Sequence, residues 1–145
     1  MTTRLYPIAI AAVLAFASTV QADGLLDANS ASAEELAAVG GLDEAAIALI
    51  LEERPYAGII DLDEALSETL NVEQRAQVYA GMFLRINLNT ATRDEIMTIP
   101  GMDRRMAHEF EEYRPYTSME QFRREIGKYV DEKEVARLEM YVTLD

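Results

Sequence analysis

Residues 86–103 decide the fold, and they read INLNTATRDEIMTIPGMD. The segment at 92–95, Thr-Arg-Asp-Glu, has the S/T-x-x-E spacing of a capping box, which starts a helix by satisfying two free backbone N–H groups. Ile96 and Ile99 follow at a spacing that places apolar side chains on one helix face. Pro100-Gly101 then ends the helix, because proline and glycine interrupt helical structure. The stretch predicts a short helix, a tight turn and a second helix directly after it.

The same pattern occurs a second time, sixty residues earlier. Aligned without a gap, the two halves share identical residues and matched apolar positions along their length. Identical pairs include Asn29 and Asn89, Ala31 and Ala91, Glu35 and Glu95, Gly41 and Gly101, Asp43 and Asp103, Glu52 and Glu112, and Ala76 and Ala136. The tripeptide Arg-Pro-Tyr also recurs, at 54–56 and 114–116. A long register without gaps indicates an internal repeat.

Each repeat is predicted to form four short helices. A capping box at 32–35 or 92–95 starts the first helix. The second helix ends before the proline of Arg-Pro-Tyr, because proline disfavours helix in the residue that precedes it. Apolar residues then mark a third and a fourth helix: Leu62, Leu66 and Val78 in one copy, and Phe122, Ile126, Val135 and Leu138 in the other. Since no segment shows convincing strand alternation, the expected fold class is all-α.

After its first 22 residues, the chain divides into two units of similar length. Residues 23–84 form repeat 1 and residues 85–145 form repeat 2. A unit of about 60 residues is only marginally stable on its own. The junction at 82–86, MFLRI, lacks the Gly/Ser composition of a flexible spacer. We therefore expect the two repeats to pack together.

Residues 1–22 have the pattern of a signal peptide. Arg4 provides a positive charge, residues 7–17 are apolar, and Val-Gln-Ala at 20–22 fits the small-residue rule for signal peptidase. The apolar run is shorter than the about 20 residues that span a bilayer. Cleavage would leave a periplasmic or secreted protein that begins at Asp23, and the alternative is an uncleaved anchor. The chain has no cysteine, so no disulfide supports its fold.

Charge is distributed unevenly between the repeats. Residues 23–145 contain 12 basic and 26 acidic residues, a formal charge of −14. Repeat 1 has two arginines against 13 acidic residues, or −11, whereas repeat 2 has 10 basic residues against 13 acidic ones, or −3. Non-specific nucleic-acid binding depends on basic charge, so repeat 1 is poorly suited to it. In repeat 2, Arg104-Arg105 and Arg123-Arg124 either form a local basic patch or balance nearby glutamates.

The chain resembles the tandem helix-hairpin-helix family. Residues 86–102 look like the N-I-N-T-A-T-x-E-E-L…L-P-G-I-G signature of ComEA-type competence proteins, and residues 115–122 look like the P-[FY]-x-S-[VM]-E-[DE]-L segment of that family. The compact form is also similar to the extrinsic 12 kDa subunit of photosystem II, a relative that binds protein and not DNA. The resemblance implies two hairpins in each repeat and a binding role.

The four hairpin turns depart from the pattern of the DNA-binding relatives. In those relatives the turn reads hydrophobic-Gly-hydrophobic-Gly, and its glycines let the backbone approach a phosphate. The first hairpins of this chain read Gly41-Leu42-Asp43 and Gly101-Met102-Asp103, and the second read Thr69-Leu70-Asn71 and Tyr129-Val130-Asp131. Each turn has Asp or Asn where the second glycine would stand, and these residues are favoured helix N-caps.

Three interpretations of these turns remain open. They are stable helix caps and nothing more, they contact a protein, or they retain phosphate binding where Arg104 and Arg105 follow Asp103. The candidate binding residues are Gly41, Leu42, Asp43, Gly101, Met102, Asp103, Arg104 and Arg105. We also predict that Asp131 and Glu134 form a capping-box-like pair.

The Arg-Pro-Tyr copies have a structural explanation and a functional one. Arginine at a helix C-terminus interacts favourably with the helix dipole, proline stops the helix, and tyrosine packs with its hydroxyl outward. We favour this arrangement over a binding hot spot, although Tyr113, Tyr116, Tyr129 and Tyr141 enrich repeat 2 in aromatic side chains.

The sequence gives little support for catalysis. His108 is the only histidine, and no serine has an identifiable histidine partner. The acidic run at 61–64 lacks the glycine and the closing glutamate of an EF-hand, so we interpret it as a solvated helix start. We expect a non-enzymatic protein without metal or cofactor.

Two functional hypotheses follow. The first is an exported binding module for protein–protein interaction or scaffolding at an extracytoplasmic complex, with a protein partner in the cell envelope. The second is a ComEA-like periplasmic receptor that binds double-stranded DNA through repeat 2 during DNA uptake.

Overall fold

The computed structural model describes residues 24–145, so the predicted signal peptide at 1–22 lies outside the described residues. These residues form eight helices, four in each repeat. Repeat 1 contains α1 (Ala33–Ala37), α2 (Glu44–Glu53), α3 (Ile59–Ser67) and α4 (Val72–Tyr79). Repeat 2 contains α5 (Arg93–Met97), α6 (Arg104–Glu112), α7 (Met119–Ile126) and α8 (Glu132–Glu139). The all-α fold is confirmed, and none of the helices described is long and apolar enough to cross a membrane.

The first helix of each repeat begins at a complete capping box. The Ser32 hydroxyl accepts the N–H of Glu35 at 3.1 Å, and the Glu35 carboxylate accepts the N–H of Ser32 at 2.8 Å. Thr92 and Glu95 make the same reciprocal pair in repeat 2. These side chains satisfy backbone donors that a helix start leaves free, and the buried Leu36 and Ile96 attach the two short helices to the core.

Two pairs of very short parallel strands close the repeats, a feature that the sequence did not indicate. Strand β1 (Leu26–Asp27) pairs with β2 (Met82–Phe83), and β3 (Ile86–Asn87) pairs with β4 (Val142–Thr143). Each pair joins the first segment of a repeat to its last. Because each strand has two residues, the pairs fasten the ends of the helical units without changing the fold class.

An asparagine near the start of each repeat holds the Arg-Pro-Tyr segment. The Asn89 side chain donates to the carbonyl of Tyr116 at 2.9 Å and accepts the N–H of Tyr116 at 2.7 Å. Asn29 makes the same two contacts with Tyr56, at 3.0 and 2.8 Å. The asparagine of the signature is therefore a structural clamp between the start of the repeat and the end of its second helix.

The arginines of Arg-Pro-Tyr act differently from the dipole interaction that we expected. Arg114 donates to the carbonyls of Leu88 at 2.6 Å and Ala91 at 2.8 Å, and Arg54 donates to the carbonyl of Ala31 at 2.6 Å. Both arginines thus satisfy loop carbonyls across the repeat instead of those of their own helix.

The prediction that the tyrosine hydroxyls point outward is wrong. The Tyr56 hydroxyl is buried and makes no hydrogen bond within residues 24–145, and the Tyr116 hydroxyl donates to the carbonyl of Glu109 at 3.4 Å. The Arg54-Pro55 and Arg114-Pro115 peptide bonds are both cis.

The two repeats pack together, and a cluster of three aromatic rings crosses the junction between them. Phe83 lies between Tyr79 and Tyr141, with ring centroids 5.6 and 4.8 Å away and edge-to-face geometry on both sides. The Tyr141 hydroxyl, which is buried, donates to the carbonyl of Tyr79 at 2.8 Å. Buried apolar residues of both repeats form a single core cluster, so each repeat covers surface that the other would expose.

Candidate functional site

All four hairpin turns end in a residue that caps the next helix. In each case a side-chain oxygen of the turn's last residue accepts the backbone N–H three residues later. The pairs are Asp43 with Ala46 at 2.8 Å, Asn71 with Gln74 at 2.9 Å, Asp103 with Met106 at 2.8 Å, and Asp131 with Glu134 at 2.9 Å. At each of these helix starts one backbone donor is therefore occupied by the protein's own oxygen.

The first glycine of the two first hairpins is required by the backbone. Gly41 has φ of 90° and Gly101 has φ of 76°, in the left-handed region that side chains disfavour. A Cβ added at Gly41 would also lie 3.2 Å from the Val78 side chain. Turn geometry alone explains why these glycines are present, so they are not by themselves a sign of phosphate binding.

The second hairpins make their caps without a left-handed residue, since no non-glycine residue between 24 and 145 has positive φ. Asn71 and Gln74 form a complete capping box. Asp131 and Glu134 form only half of the predicted pair, because the Glu134 carboxylate accepts from Arg137 at 2.7 and 2.8 Å instead. These hydrogen bonds hold the pKa of Glu134 below its usual range.

The two arginine pairs of repeat 2 have different surroundings. Arg123 donates to Glu139 at 2.8 Å and Arg124 donates to Glu125 at 3.0 Å, so glutamates compensate both charges. Arg104 and Arg105 are exposed, and neither forms an ion pair with any residue from 24 to 145. The predicted basic patch is therefore limited to the first turn of α6.

Repeat 1 offers no counterpart to this small basic surface. In the repeat register, Glu44 and Ala45 stand where Arg104 and Arg105 stand in repeat 2. Gly41, Asp43 and Glu44 are exposed, so the corresponding turn presents two carboxylates. The two first hairpins have similar backbones and opposite charge.

The middle residue of each first hairpin points toward apolar surroundings. Leu42 and Met102 are both partly buried against the core. Met102 also lines a groove between the repeats, together with Pro100 and Gly101. Among the predicted site residues, the structure thus groups Gly101, Met102, Asp103, Arg104 and Arg105 along one turn, whereas the residues of repeat 1 form a separate turn.

The groove between the repeats was not predicted. It has a volume of about 410 Å³, and its further lining includes Ile60, Val72 and Ala76 from repeat 1 and Met97 from repeat 2. Val72 is 71% exposed and Met97 is 38% exposed, although both are large apolar residues. The repeat register contains a signal for this surface, because Glu120 and Glu132 stand at the positions that correspond to Ile60 and Val72.

The acidic run at 61–64 has structural partners. Asp63 accepts from Arg75 at 3.0 Å and from the Tyr79 hydroxyl at 2.7 Å, and Asp61 accepts the N–H of Ala57 at 3.2 Å. No group of three or more potential metal ligands occurs in the part of the chain that the structure describes.

Comparison with known protein families gives a match for the second repeat. Residues 83–143 match the model of a helix-hairpin-helix motif. Neither a curated protein nor a solved structure matches the chain. Because the matched residues span α5 to α8 with both of their turns, repeat 2 carries a helix-hairpin-helix motif, a class of motif associated with binding nucleic acid or protein.

Proposed function

We propose that this chain is an exported, non-enzymatic module that mediates protein–protein interaction or scaffolding at an extracytoplasmic complex. The observation that carries the proposal is the cap at every hairpin turn. Asp43, Asn71, Asp103 and Asp131 each place a side-chain oxygen on a backbone N–H that a bound phosphate would otherwise reach.

Electrostatics supports the same conclusion. Three of the four caps are carboxylates, and a carboxylate about 4 Å from a phosphate charge repels it by about 1 kcal/mol in water. The formal charge of −14 on residues 23–145 adds to this local repulsion at low ionic strength. A protein partner has no comparable requirement for basic charge on this surface.

The proposal is tested by two measurements on the same purified protein. Immobilised protein is incubated with envelope extract and specific partners are identified by mass spectrometry, while fluorescence anisotropy measures binding to a labelled DNA duplex at low salt. We expect one saturable protein partner and weak duplex binding. The absence of any specific partner, together with tight duplex binding, would contradict the proposal.

The alternative is a ComEA-like receptor for double-stranded DNA, and one observation favours it. Arg104 and Arg105 are exposed directly after the turn of α6, without an ion pair within residues 24–145, and they belong to the matched motif. This alternative predicts duplex binding that weakens with salt, because phosphate contacts release counterions.

Two double variants that reverse charge distinguish a specific DNA contact from general electrostatic attraction to DNA. Arg104→Glu with Arg105→Glu would abolish duplex binding if the α6 turn is the contact. Arg123→Glu with Arg124→Glu changes the formal charge equally at a surface where glutamates already compensate the arginines. Equal losses in both double variants would mean that no specific contact exists at α6.

Export rests on the leader pattern at 1–22. Mass spectrometry of the protein recovered from its native cells gives the N-terminal residue directly. We expect Asp23, and an intact leader would favour the anchored alternative.

A further inference from the structure

We propose that the groove between the repeats binds a basic segment of the partner protein, a segment that inserts one or two large apolar side chains. The inference rests on the proposed protein-binding role and assigns that role a surface. The walls of the groove are α3 and α4 of repeat 1 on one side, and α5 with the Pro100-Gly101-Met102 turn of repeat 2 on the other.

Apolar exposure in the described residues is concentrated at this groove. Three large hydrophobic side chains are exposed between residues 24 and 145, namely Val72, Met97 and Tyr129, and the first two line the same groove. Tyr129 lies elsewhere, where its hydroxyl is 2.8 Å from that of Tyr113. Clustered apolar exposure with a polar rim is typical of interaction sites.

Packing between the repeats does not account for Val72. A side chain that served only to join the repeats would be covered by them, yet Val72 remains 71% exposed at the first residue of α4. In the other copy, the matching position of α8 is Glu132, which is exposed, so the local helix start has no need of an apolar residue. The valine is instead explained by a surface that an additional partner covers.

The charge around the groove indicates the chemistry of that partner. Asp94 lines the groove, is exposed, and forms no ion pair with residues 24–145. Glu73 follows Val72 directly, and Glu64 lies one helical turn beyond Ile60 on α3; both are exposed.

Within residues 24–145, Asp94 is the one unpaired charge among the lining residues, since Arg104 and Arg105 begin α6 beyond Met102 and do not line the groove. Arg75 is paired with Asp63, and Arg93, which precedes Asp94, is paired with Glu111. An apolar floor within an acidic rim complements an apolar anchor flanked by lysine or arginine.

The test measures binding of short fluorescent peptides to the purified protein by anisotropy. The probe alternates lysine with leucine. One comparison peptide replaces lysine with glutamate and the other replaces leucine with serine. We expect the lysine–leucine peptide to bind at least about tenfold more tightly than either, since both the charge and the anchor contribute. Equal binding of the lysine–serine peptide would overturn the proposal, because attraction to an acidic protein would then suffice.

Substitutions that leave the charge unchanged locate the site. The double variant Val72→Ser, Met97→Ser is expected to bind the lysine–leucine peptide about tenfold more weakly than the wild-type protein. Tyr129→Ser is the control, because Tyr129 and Met97 are equally exposed, and it should change the affinity for this peptide less than about twofold. Unchanged binding in the double variant would overturn the proposed site. Sedimentation of the wild-type protein completes the test, because a dimer that the double variant abolishes would identify a second copy as the occupant and contradict a basic partner.

Failure of this inference is separable from failure of the proposed function. If the Val72→Ser, Met97→Ser protein still captures the partner that the wild-type protein takes from envelope extract, the groove is wrong and the protein-binding role stands. If neither protein captures a partner and both bind a DNA duplex, the proposed function itself fails.

Discussion

Replacing Asp103 with glycine gives this turn the second glycine of the hydrophobic-Gly-hydrophobic-Gly pattern, and the structure indicates that the fold will accept it. Asp103 has φ of −116° and ψ of 170°, an extended conformation that glycine adopts easily. Its side chain contributes one hydrogen bond, to the N–H of Met106 at 2.8 Å. Glycine is itself a tolerated N-cap, so the loss in stability is expected to be only a few tenths of a kcal/mol.

The effect on DNA binding should be larger than the effect on stability. Removing a carboxylate about 4 Å from a phosphate relieves about 1 kcal/mol of repulsion in water, and up to about 4 kcal/mol at an effective dielectric constant of 20. Asp103 is exposed, which favours the lower value. Since 1.4 kcal/mol is a factor of ten, we expect the Asp103→Gly protein to bind duplex DNA about five- to tenfold more tightly at low salt.

The matched control is Asp43→Gly in repeat 1. Asp43 caps α2 with the same geometry, at 2.8 Å, but Glu44 and Ala45 follow it instead of two arginines. Anisotropy with a labelled duplex should therefore show no gain for Asp43→Gly, while thermal unfolding shows both variants folded. If Asp103→Gly binds no better than Asp43→Gly, the idea that this carboxylate keeps phosphate away from α6 is refuted.

Further substitutions test the contacts that hold the repeats. Asn89→Ala removes both hydrogen bonds to the backbone of Tyr116 and should cost about 2 kcal/mol in denaturant unfolding. Tyr141→Phe leaves the buried carbonyl of Tyr79 without its donor and should cost about 1–2 kcal/mol by the same measurement. Gly101→Ala places a side chain at φ of 76° and should cost about 1 kcal/mol in thermal unfolding. Burial and, to a smaller extent, the hydrogen bond to Asp63 raise the pKa of Tyr79 in the folded protein. The free energy of unfolding that this shift contributes is fully present below about pH 10 and is lost as the pH rises. Tyr79→Phe should therefore reduce the alkaline loss of stability in a pH series of unfolding curves.

The helices could be predicted because their signals are local. A capping box at 32–35 or 92–95 acts within four residues, and each proline of Arg-Pro-Tyr constrains the residue before it. The same locality explains why all four turn residues were correctly identified as N-caps. Only Asp131 was assigned a reciprocal partner that it lacks, because Glu134 has a stronger option one turn later in Arg137.

The clamp around Arg-Pro-Tyr could not be predicted, because its contacts are distant in sequence. Asn29 and Tyr56 are separated by 27 residues, and nothing near either residue specifies the other. The arginine was therefore assigned to its own helix end, whereas the structure directs Arg54 to a carbonyl of the first loop. Such assignments require the relative placement of whole helices, which a single sequence does not contain.

The groove escaped prediction for a related reason. Val72 and Met97 belong to different repeats, and their shared surface exists only because the repeats pack against each other. Each residue alone is an ordinary exposed hydrophobic residue, which does not indicate a binding site. Only their placement on the same groove makes them candidates for a binding surface.

A side-chain hydrogen bond joins the third and fourth helices of each repeat, and its donor and acceptor are exchanged between the two copies. In repeat 1, Asp63 on α3 accepts from Tyr79 on α4, whereas in repeat 2, Arg123 on α7 donates to Glu139 on α8. The register places Asp63 at the position of Arg123 and Tyr79 at that of Glu139.

The donor and the acceptor of this contact between helices are thus exchanged, and a carboxylate–phenol bond in repeat 1 takes the place of an ion pair in repeat 2. Both repeats form the same four-helix arrangement with formal charges of −11 and −3, so the fold does not require the larger charge of repeat 1. Surface charge that the fold does not require is free to suit a partner. Repeat 1 contributes one wall of the groove, and under the proposal above the exposed carboxylates beside that wall favour a basic partner.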